Sequence, residues 1–147
     1  MKAEPVRVER IGAEDLDACL ALRRRVFVEE QGVDPEIEFD GLDGESVHFA
    51  ARRAGLLVGT ARLRAVDDAG KAERVAVAPE ARRAGVGRAL MLALEEAARA
   101  LGHPAMSLNA QRVALPFYHE LGYEPCGEPF EEAGIPHVPM RKPLSRE

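Results

Sequence analysis

Two glycines and three arginines lie close together between residues 82 and 88, directly before the clearest helical pattern in the chain. The first backbone amides of a helix have no acceptor within the helix, and the helix dipole places partial positive charge there. Glycine lets an anion approach the backbone, because no Cβ is in the way. This combination therefore predicts a binding site for a diphosphate group. The segment, called the cradle loop below, consists of Arg82, Arg83, Ala84, Gly85, Val86, Gly87 and Arg88.

Two common phosphate-binding motifs do not fit the cradle loop. A Walker loop needs lysine and then serine or threonine after its glycines, but Gly87 is followed by Arg88 and Ala89. A dinucleotide-binding fingerprint needs a third glycine where this chain has Leu90, and it follows the first strand of a βαβ unit. The alternative without a ligand is a glycine-containing helix start with solvated arginines. That alternative is disfavoured because a strand, a proline, the arginines and a long helix follow one another in the order that a diphosphate site needs.

The elements next to the cradle loop follow from residue periodicity. The residues from Glu73 to Ala78 are predicted to form a strand that ends at Pro79. After the loop, apolar residues at helical spacing predict a helix that ends at Gly102. The apolar stripe of this helix consists of Val86, Leu90, Ala93, Leu94, Ala97 and Leu101. Glu95 lies off the stripe, so we expect it on the solvent side, paired with Arg99 one turn later.

The rest of the chain alternates between helical and strand-like periodicity, which predicts an α/β fold of the mixed α+β kind. The predicted strands cover residues 6–11, 47–53, 57–64, 73–78, 105–109, 123–126 and 137–141, and the predicted helices cover residues 14–30, 86–101 and 113–121. The second, third and fourth strands form an antiparallel meander. Arg62, Arg64 and Arg74 are predicted to be strand residues on its solvent-facing side, with no chemical role.

An acidic, turn-rich stretch runs from Glu29 to Glu45. It carries eight carboxylates, so one hypothesis is a negative rim that attracts a cationic substrate. The alternative is a solvated loop that Arg23, Arg24 and Arg25 partly neutralise. The apolar residues Ile37, Phe39 and Leu42 alternate through the stretch, so we expect them to anchor it to the core.

Composition excludes several other classes of protein. The length of 147 residues suits one domain, and the net charge of −5 disfavours a general nucleic-acid binder. No apolar run approaches the roughly 20 residues that span a bilayer. The two cysteines, Cys19 and Cys126, form no C-x-x-C pair, and the four histidines lack ligand spacing, so no metal site is expected. We expect a cytoplasmic protein with reduced thiols that binds neither nucleic acids nor membranes.

Two separate stretches of the chain resemble the GNAT superfamily of N-acetyltransferases. Residues 77–90 read V-A-P-E-A-R-R-A-G-V-G-R-A-L, and within them Arg82 to Gly87 match the acetyl-CoA-binding pattern R/Q-x-x-G-x-G/A. Arg83 stands where many members carry glycine. Phe117 to Tyr123 resemble the family's F-Y-x-x-x-G-F/Y stretch. Further segments are similar to the ElaA-like branch: Arg25 to Val33, Glu38 to Asp43, His48-Phe49 and Ser107 to Gln111.

The resemblance implies a fold and an activity. The fold would be three-layered, with a central mixed, mostly antiparallel sheet, a splayed parallel strand pair and helices on both faces. The activity would be transfer of an acetyl group from acetyl-CoA to a primary amine, directly within a ternary complex. The cradle loop would bind the diphosphate of CoA. Val75, Ala76 and Val77, on the strand before the loop, would contact the pantetheine arm of the cofactor through their backbone groups. Asn109 and Gln111 would also contact the cofactor. By position in the motif, Tyr118 would be the general acid.

The general base is left open among several groups. An amine similar to lysine, with a pKa of roughly 10.4, is mostly protonated at neutral pH, so its attack on a thioester needs a base. Glu73, at the start of the strand that leads into the cradle loop, is the first candidate. Glu29, Glu30, His48 and a water molecule are the others. A covalent acetyl-cysteine route is disfavoured by the positions of Cys19 and Cys126. The alternatives are a non-catalytic acyl-CoA sensor and, less favoured, a nucleotide-binding protein; a homodimer is possible for this fold.

Overall fold

The computed structural model describes residues 5–145 of the chain. Its strands are β1 (Val6–Ile11), β2 (Val47–Arg53), β3 (Leu56–Val66), β4 (Ala69–Val77), β5 (Ala105–Gln111), β6 (Glu124–Pro125), β7 (Phe130–Glu132) and β8 (Ile135–Pro143). Its α-helices are α1 (Ala13–Arg23), α2 (Pro35–Glu38), α3 (Val86–Ala100) and α4 (Leu115–Glu120). A π-helical segment, Arg24–Glu30, continues α1, and short 3₁₀ turns cover Asp43–Glu45, Pro79–Ala81 and Arg112–Ala114. Among the described residues, no helix is both long enough and apolar enough to cross a membrane.

All eight strands belong to one mixed sheet. Its order is β1-β2-β3-β4-β5-β8-β6, and β7 pairs with β8. All the described pairs are antiparallel except β4 and β5, which run parallel. Ala69–Lys71 pair with Ala105–Ser107, and beyond Lys71 the two strands separate. The expected mixed sheet with a splayed parallel pair is thus confirmed, and the splay leaves the inner edge of each strand open.

A β-bulge lies in β4 at the start of this splay. Thr60 of β3 is opposite Ala76, whereas Arg62 is opposite Glu73, so β4 has one extra residue there. Arg74, inside the bulge, has a φ of 55°, in the left-handed region. A bulge bends its strand and redirects the side chains around it. It therefore changes which residues of β4 face the splay.

The helices α1 and α3 lie on opposite faces of the sheet. A Cβ on Gly59 would lie 2.7 Å from Val86 Cγ1 of α3, so Gly59 faces that helix. The next residue, Thr60, lies beside the thiol of Cys19 in α1. Because successive strand residues point to opposite faces, the sheet is sandwiched between the two helices. The predicted three-layer arrangement is therefore present.

The buried face of α3 differs from the predicted stripe. Leu90, Met91 and Leu94 are fully buried, but Leu101 is 60% exposed. The prediction for Glu95 was wrong: it is 1% exposed and forms no pair with Arg99 among the described hydrogen bonds and ion pairs. Tyr123 Oη donates to Glu95 Oε2 at 2.8 Å, and Lys142 Nζ donates to Oε1 at 3.0 Å. A carboxylate can be buried when such partners replace water.

Several strand boundaries also differ from the predictions. The strand β4 begins at Ala69, because the turn after β3 needs only Asp67 and Asp68. The strand predicted over residues 123–126 is reduced to Glu124–Pro125. A short hairpin of β7 and β8 was not predicted at all. Its turn residues, Ala133 and Gly134, both have positive φ, as in a type I′ turn.

Candidate active site

A left-handed glycine in the middle of the cradle loop precedes the first residue of α3. Gly85 has a φ of 83°, and Ala89 N donates to Gly85 O at 3.0 Å, the first bond of the helix. Arg83 also has a positive φ, 63°. A non-glycine residue is strained in this conformation, which explains why glycine suits the position where this chain carries arginine. The loop thus presents the free amides at the N-terminus of α3 to solvent.

Gly87 brings α4 close to the N-terminus of α3. A Cβ at this position would lie 3.2 Å from Phe117 Cζ. The glycine therefore serves close helix packing in addition to leaving the backbone accessible. This contact joins the cradle loop to the helix that carries Tyr118.

The arginines of the cradle loop differ in their surroundings. Arg82 forms a bidentate ion pair with Glu30, in which both N–O distances are 2.6 Å, and its Nε donates to Val77 O. The hydrogen bonds from Arg82 hold the pKa of Glu30 below its ordinary value. Arg83 and Arg88 are exposed. Arg53 of β2, which the sequence analysis did not select, donates to Ala84 O at 3.3 Å, and its buried Nε has no partner among the described residues.

These features fit a diphosphate ligand. The open backbone amides, the guanidinium groups and the unsatisfied Arg53 Nε supply donors, and no carboxylate other than Glu30 is paired with Arg82 among the described residues. Anionic ligands bind readily at such helix N-termini.

A cavity of about 210 Å³ lies in the splay between β4 and β5. It brings together five of the predicted site residues: Glu73, Val75, Asn109, Gln111 and Tyr118. Its walls include Phe27 of the π-helical segment, Gln31 directly after that segment, and Glu132 and His137 from the β7–β8 hairpin. Among the described residues its lining contains none of the cradle loop, nor Ala76, Val77, Glu29, Glu30 or His48. The cavity and the cradle loop are therefore two adjacent but separate features.

Tyr118 stands between these two features. Its ring packs edge-on against Phe117, with centroids 4.9 Å apart, and against Tyr123 at 6.0 Å. Burial raises the pKa of Tyr118 to about 12. Among the described hydrogen bonds none involves its hydroxyl, although the residue lines the cavity. A hydroxyl in this state keeps its proton and can donate it to a bound ligand.

Glu73 is held in ion pairs. Arg64 donates to it through Nε at 2.9 Å and Nη2 at 3.0 Å, Arg62 Nε lies at 3.1 Å, and Lys71 Nζ at 3.3 Å. Burial by itself would raise the pKa of this carboxyl, but the hydrogen bonds from Arg64 and the charges of Arg62 and Lys71 outweigh it and hold the pKa at about 2. A carboxylate with so low a pKa is a weak base at neutral pH.

The prediction that Arg62, Arg64 and Arg74 face solvent was wrong. Arg62 is fully buried; its Nη2 lies 2.6 Å from Asp40 Oδ2 and its Nη1 lies 2.9 Å from Asp43 Oδ1. The partners come from the acidic stretch, which a one-dimensional strand pattern cannot reveal. We call the whole set the anchor network: Arg23, Glu38, Asp40, Asp43, Arg62, Arg64, Lys71, Glu73 and Arg74.

The anchor network attaches the acidic stretch to the sheet. Glu38 is 1% exposed and pairs with Arg23 at 2.9 Å, whereas the apolar Ile37 is 46% exposed. Charged residues, and not the predicted apolar series alone, therefore hold the stretch in place. Because Glu38, Asp40 and Asp43 are neutralised by arginines, the negative rim is weaker than its composition indicates.

Comparison with known proteins identifies the family. The profile of the acetyltransferase (GNAT) domain matches residues 16–144 of the chain. The uncharacterised N-acetyltransferase YjcF of Bacillus subtilis is 44% identical over 130 residues, which cover 88% of this chain and 93% of YjcF. The chain belongs to the GNAT family. It is an acyltransferase, and the members of this family transfer acetyl groups from acetyl-CoA.

Solved structures of GNAT proteins share this fold over nearly the whole chain. The crystal structure of Escherichia coli ElaA superimposes with a TM-score of 0.81 at 30% identity, covering 94% of this chain and 99% of ElaA. An acyl-CoA N-acyltransferase from Pseudomonas aeruginosa gives a TM-score of 0.80 at 32% identity, with coverages of 94% and 99%. The likeness to ElaA agrees with the branch that the sequence resembles.

The sequence analysis did not select His137 among the residues of this cavity. His137, in β8, is 8% exposed and lies outside both motif stretches. The only available signal was its place in an alternating segment of the last strand. His48, which had been considered, has its Nε2 2.9 Å from Asp43 O.

Proposed function

We propose that this chain, as one domain of 147 residues, transfers the acetyl group of acetyl-CoA to a primary amine within a ternary complex. The observation that carries the proposal is the pair of adjacent features around Tyr118. The cradle loop offers donors for the diphosphate, and the cavity in the splay is where the thioester end of the cofactor would meet the acceptor. Two substrates can therefore be present together, as direct transfer requires.

The chain's own residues supply the contacts for acetyl-CoA. The amides from Arg82 to Arg88 would bind the diphosphate, since they open on the N-terminus of α3. The edge of β4 around Val75, Ala76 and Val77 has no β5 partner in register, so its backbone groups are available to the pantetheine arm. Asn109 and Gln111 lie opposite this edge on β5, and both line the cavity. Bound there, acetyl-CoA supplies the activated acyl group as a thioester.

Tyr118 is proposed as the acid that protonates the leaving sulfur. A thiol has a pKa of roughly 8.5, so the departing thiolate needs little help, but a positioned donor accelerates its departure. Because the pKa of Tyr118 is about 12, the hydroxyl is protonated at every working pH. The tyrosine recovers its proton from the attacking amine, so no net charge is left on the ring.

The cysteines support direct transfer over an acetyl-cysteine route. Cys19 is 1% exposed in α1, and burial raises the pKa of its thiol. Cys126 is exposed in the segment after β6. Among the described residues, neither sulfur belongs to the cavity lining. A thiol that is protonated or remote from the cavity is a poor acyl acceptor.

Titration calorimetry and a thiol-release assay test the proposal together. We expect CoA to bind the folded protein more tightly than ATP, and a panel of polyamines, aminoglycosides, amino acids and peptides to include an amine that releases free CoA thiol. Binding without thiol release from any amine would instead indicate an acyl-CoA sensor. Absence of CoA binding by folded protein would refute the assignment of the cradle loop.

A further inference from the structure

His137 lines the cavity in the splay and has one ring nitrogen without a hydrogen-bond partner among the described residues. Its Nδ1 lies 2.7 Å from Ile135 O, and a carbonyl can only accept, so Nδ1 carries the hydrogen. In the neutral imidazole, Nε2 is then an acceptor with a lone pair. Among the described hydrogen bonds none involves this Nε2, and the residue lines the cavity. The tautomer is therefore the one that a general base in the cavity needs.

The β7–β8 hairpin holds the imidazole in place. The ring of Phe130 stacks on that of His137 with an interplanar angle of 25° and a centroid distance of 5.8 Å. His137 is also in register with Gln111 of β5, whose side chain donates to Gln31 Oε1 at 2.9 Å. Stacking on one face and pairing with β5 restrict the ring, so Nε2 keeps a defined position.

The carboxylates that the sequence suggested as bases are less suitable. Glu73 is held as a stable anion by Arg64, Arg62 and Lys71. Glu30 is occupied by Arg82. Glu29 and His48 do not belong to the lining of the cavity among the described residues. Histidine is in addition the side chain that commonly exchanges a proton between pH 5 and 8.

We propose that His137 Nε2 is the general base that takes a proton from the acceptor ammonium group. This inference rests on the proposed function, because it assigns the first proton transfer of the same reaction. His137 receives one proton from the ammonium group, which leaves a neutral amine, and later passes that proton to solvent.

The remaining steps form the amide and release CoA thiol. The nitrogen lone pair forms a C–N bond to the thioester carbonyl carbon, and the carbonyl π electrons move to oxygen. When the C=O bond re-forms, the C–S bond breaks and sulfur takes the proton of the Tyr118 hydroxyl. The second proton of the amine nitrogen then returns to the Tyr118 oxygen. The products are the amide, CoA thiol and one proton released through His137.

Other ionisable groups in the cavity can also affect the pH dependence of the reaction. They are Glu38 of α2, Lys71, Glu73 and Arg74 of β4, Tyr118 of α4 and Glu132 of β7. Glu73 and Tyr118, with pKa values of about 2 and about 12, do not change charge between pH 5 and 9. Glu73 and Tyr118 therefore contribute no transition of kcat/KM in that range, and the His137→Gln variant tests whether His137 does.

The experiment compares wild type with His137→Gln across pH 5.5–10, using an amine that releases thiol in the panel. At neutral pH we expect kcat/KM for the amine to fall about 10²-fold or more in the variant, with CoA binding by calorimetry unchanged. The loss should shrink toward pH 10, where the amine loses its own proton. His103→Gln, in the turn between α3 and β5, is the matched control and should retain the wild-type profile.

NMR of the histidine Cε1–H groups in the wild-type protein gives a readout that is independent of the variant's folding. The titration of the resonance that is absent in His137→Gln should coincide with the acid limb of kcat/KM. A variant with a wild-type pH profile, or a His137 titration displaced from the acid limb, would overturn the assignment of the base alone. CoA binding without any thiol release in wild type would instead overturn the proposed function, and this step with it.

Discussion

Tyr118 is the residue whose chemistry depends most on its surroundings. Phe117 and Tyr123 cover its ring, while its hydroxyl remains free of protein partners among the described hydrogen bonds. An apolar surrounding disfavours the charged phenolate, which is why the pKa rises to about 12. The same packing keeps the proton on the hydroxyl that we propose as the donor to the leaving sulfur.

Replacement of Tyr118 by phenylalanine should slow chemistry without weakening cofactor binding. We expect kcat for Tyr118→Phe to fall by about 10²-fold or more, since a positioned acid is lost while the ring packing remains. Thiol-release kinetics and CoA calorimetry measure the two effects. Tyr123→Phe is the control: it removes a hydrogen bond to buried Glu95 and should cost stability, about 1–3 kcal/mol, but little kcat. Equal kcat losses in both variants would speak against the role of Tyr118.

Glu30 should compete with the diphosphate for Arg82. In Glu30→Gln the guanidinium loses its anionic partner, so we expect CoA to bind up to about fivefold more tightly, the value of an exposed ion pair of up to about 1 kcal/mol. Calorimetry at low and high salt measures this gain, which salt should reduce. The neighbouring Glu29 forms no ion pair among the described residues, so Glu29→Gln should leave the affinity unchanged. Weaker binding in Glu30→Gln would mean that Glu30 orients Arg82.

At the scale of elements, the packing of α3 on β3 depends on the absence of one side chain. A Cβ on Gly59 would lie 2.7 Å from Val86 Cγ1, 3.0 Å from Leu90 Cδ1 and 3.2 Å from Ala76 O. The helix whose N-terminus forms the cradle therefore approaches the sheet at a glycine. A displaced α3 would also displace the amides that we propose to bind the diphosphate.

Gly59→Ala should reduce both stability and CoA affinity. Overpacking at such a contact costs about 1–3 kcal/mol, because Val86 and Leu90 must move away from the sheet. Urea unfolding and CoA calorimetry test this. Gly44→Ala is the matched control, since a Cβ there has no neighbour within 4 Å. If Gly59→Ala were as stable as Gly44→Ala, the packing of α3 would be more adaptable than the contacts indicate.

At the scale of the whole molecule, the anchor network joins segments that are far apart in the chain. Arg23 of α1, Asp40 and Asp43 of the acidic stretch, Arg62 of β3 and Glu73 of β4 are connected by pairs of 2.6–3.1 Å. Through it the outer wall of the cavity in the splay is fixed to the sheet. Buried charges of this kind are costly when they lose a partner.

Acid should therefore weaken the fold through Glu73. Its pKa falls from 4.5 to about 2 on folding, so its contribution is complete above pH 4.5 and is lost as the pH falls through about 2. The difference corresponds to about 3 kcal/mol of the free energy of unfolding. Urea titrations between pH 6 and 2 measure it, and Glu73→Gln, less stable at neutral pH, should show a smaller loss on acidification. Parallel curves for the two proteins would contradict this account.

The sequence by itself determined the cradle loop, the helix after it and the antiparallel meander. These features depend on interactions within a few residues: a glycine with positive φ at position 85, free amides at a helix start, and apolar residues at a period of 3.6 or 2. The motif around Phe117 and Tyr118 is equally local. This is why the family and the order of the elements could be predicted before the fold was known.

Only the tertiary structure decided what the charged residues do. The partner of Glu95 is 28 positions away in Tyr123, and that of Arg62 is 22 positions away in Asp40, so no local pattern distinguishes them from solvated side chains. His137 reaches the cavity because the β7–β8 hairpin and β5 place it there. A charged side chain is buried or exposed according to the partners that the folded chain brings to it.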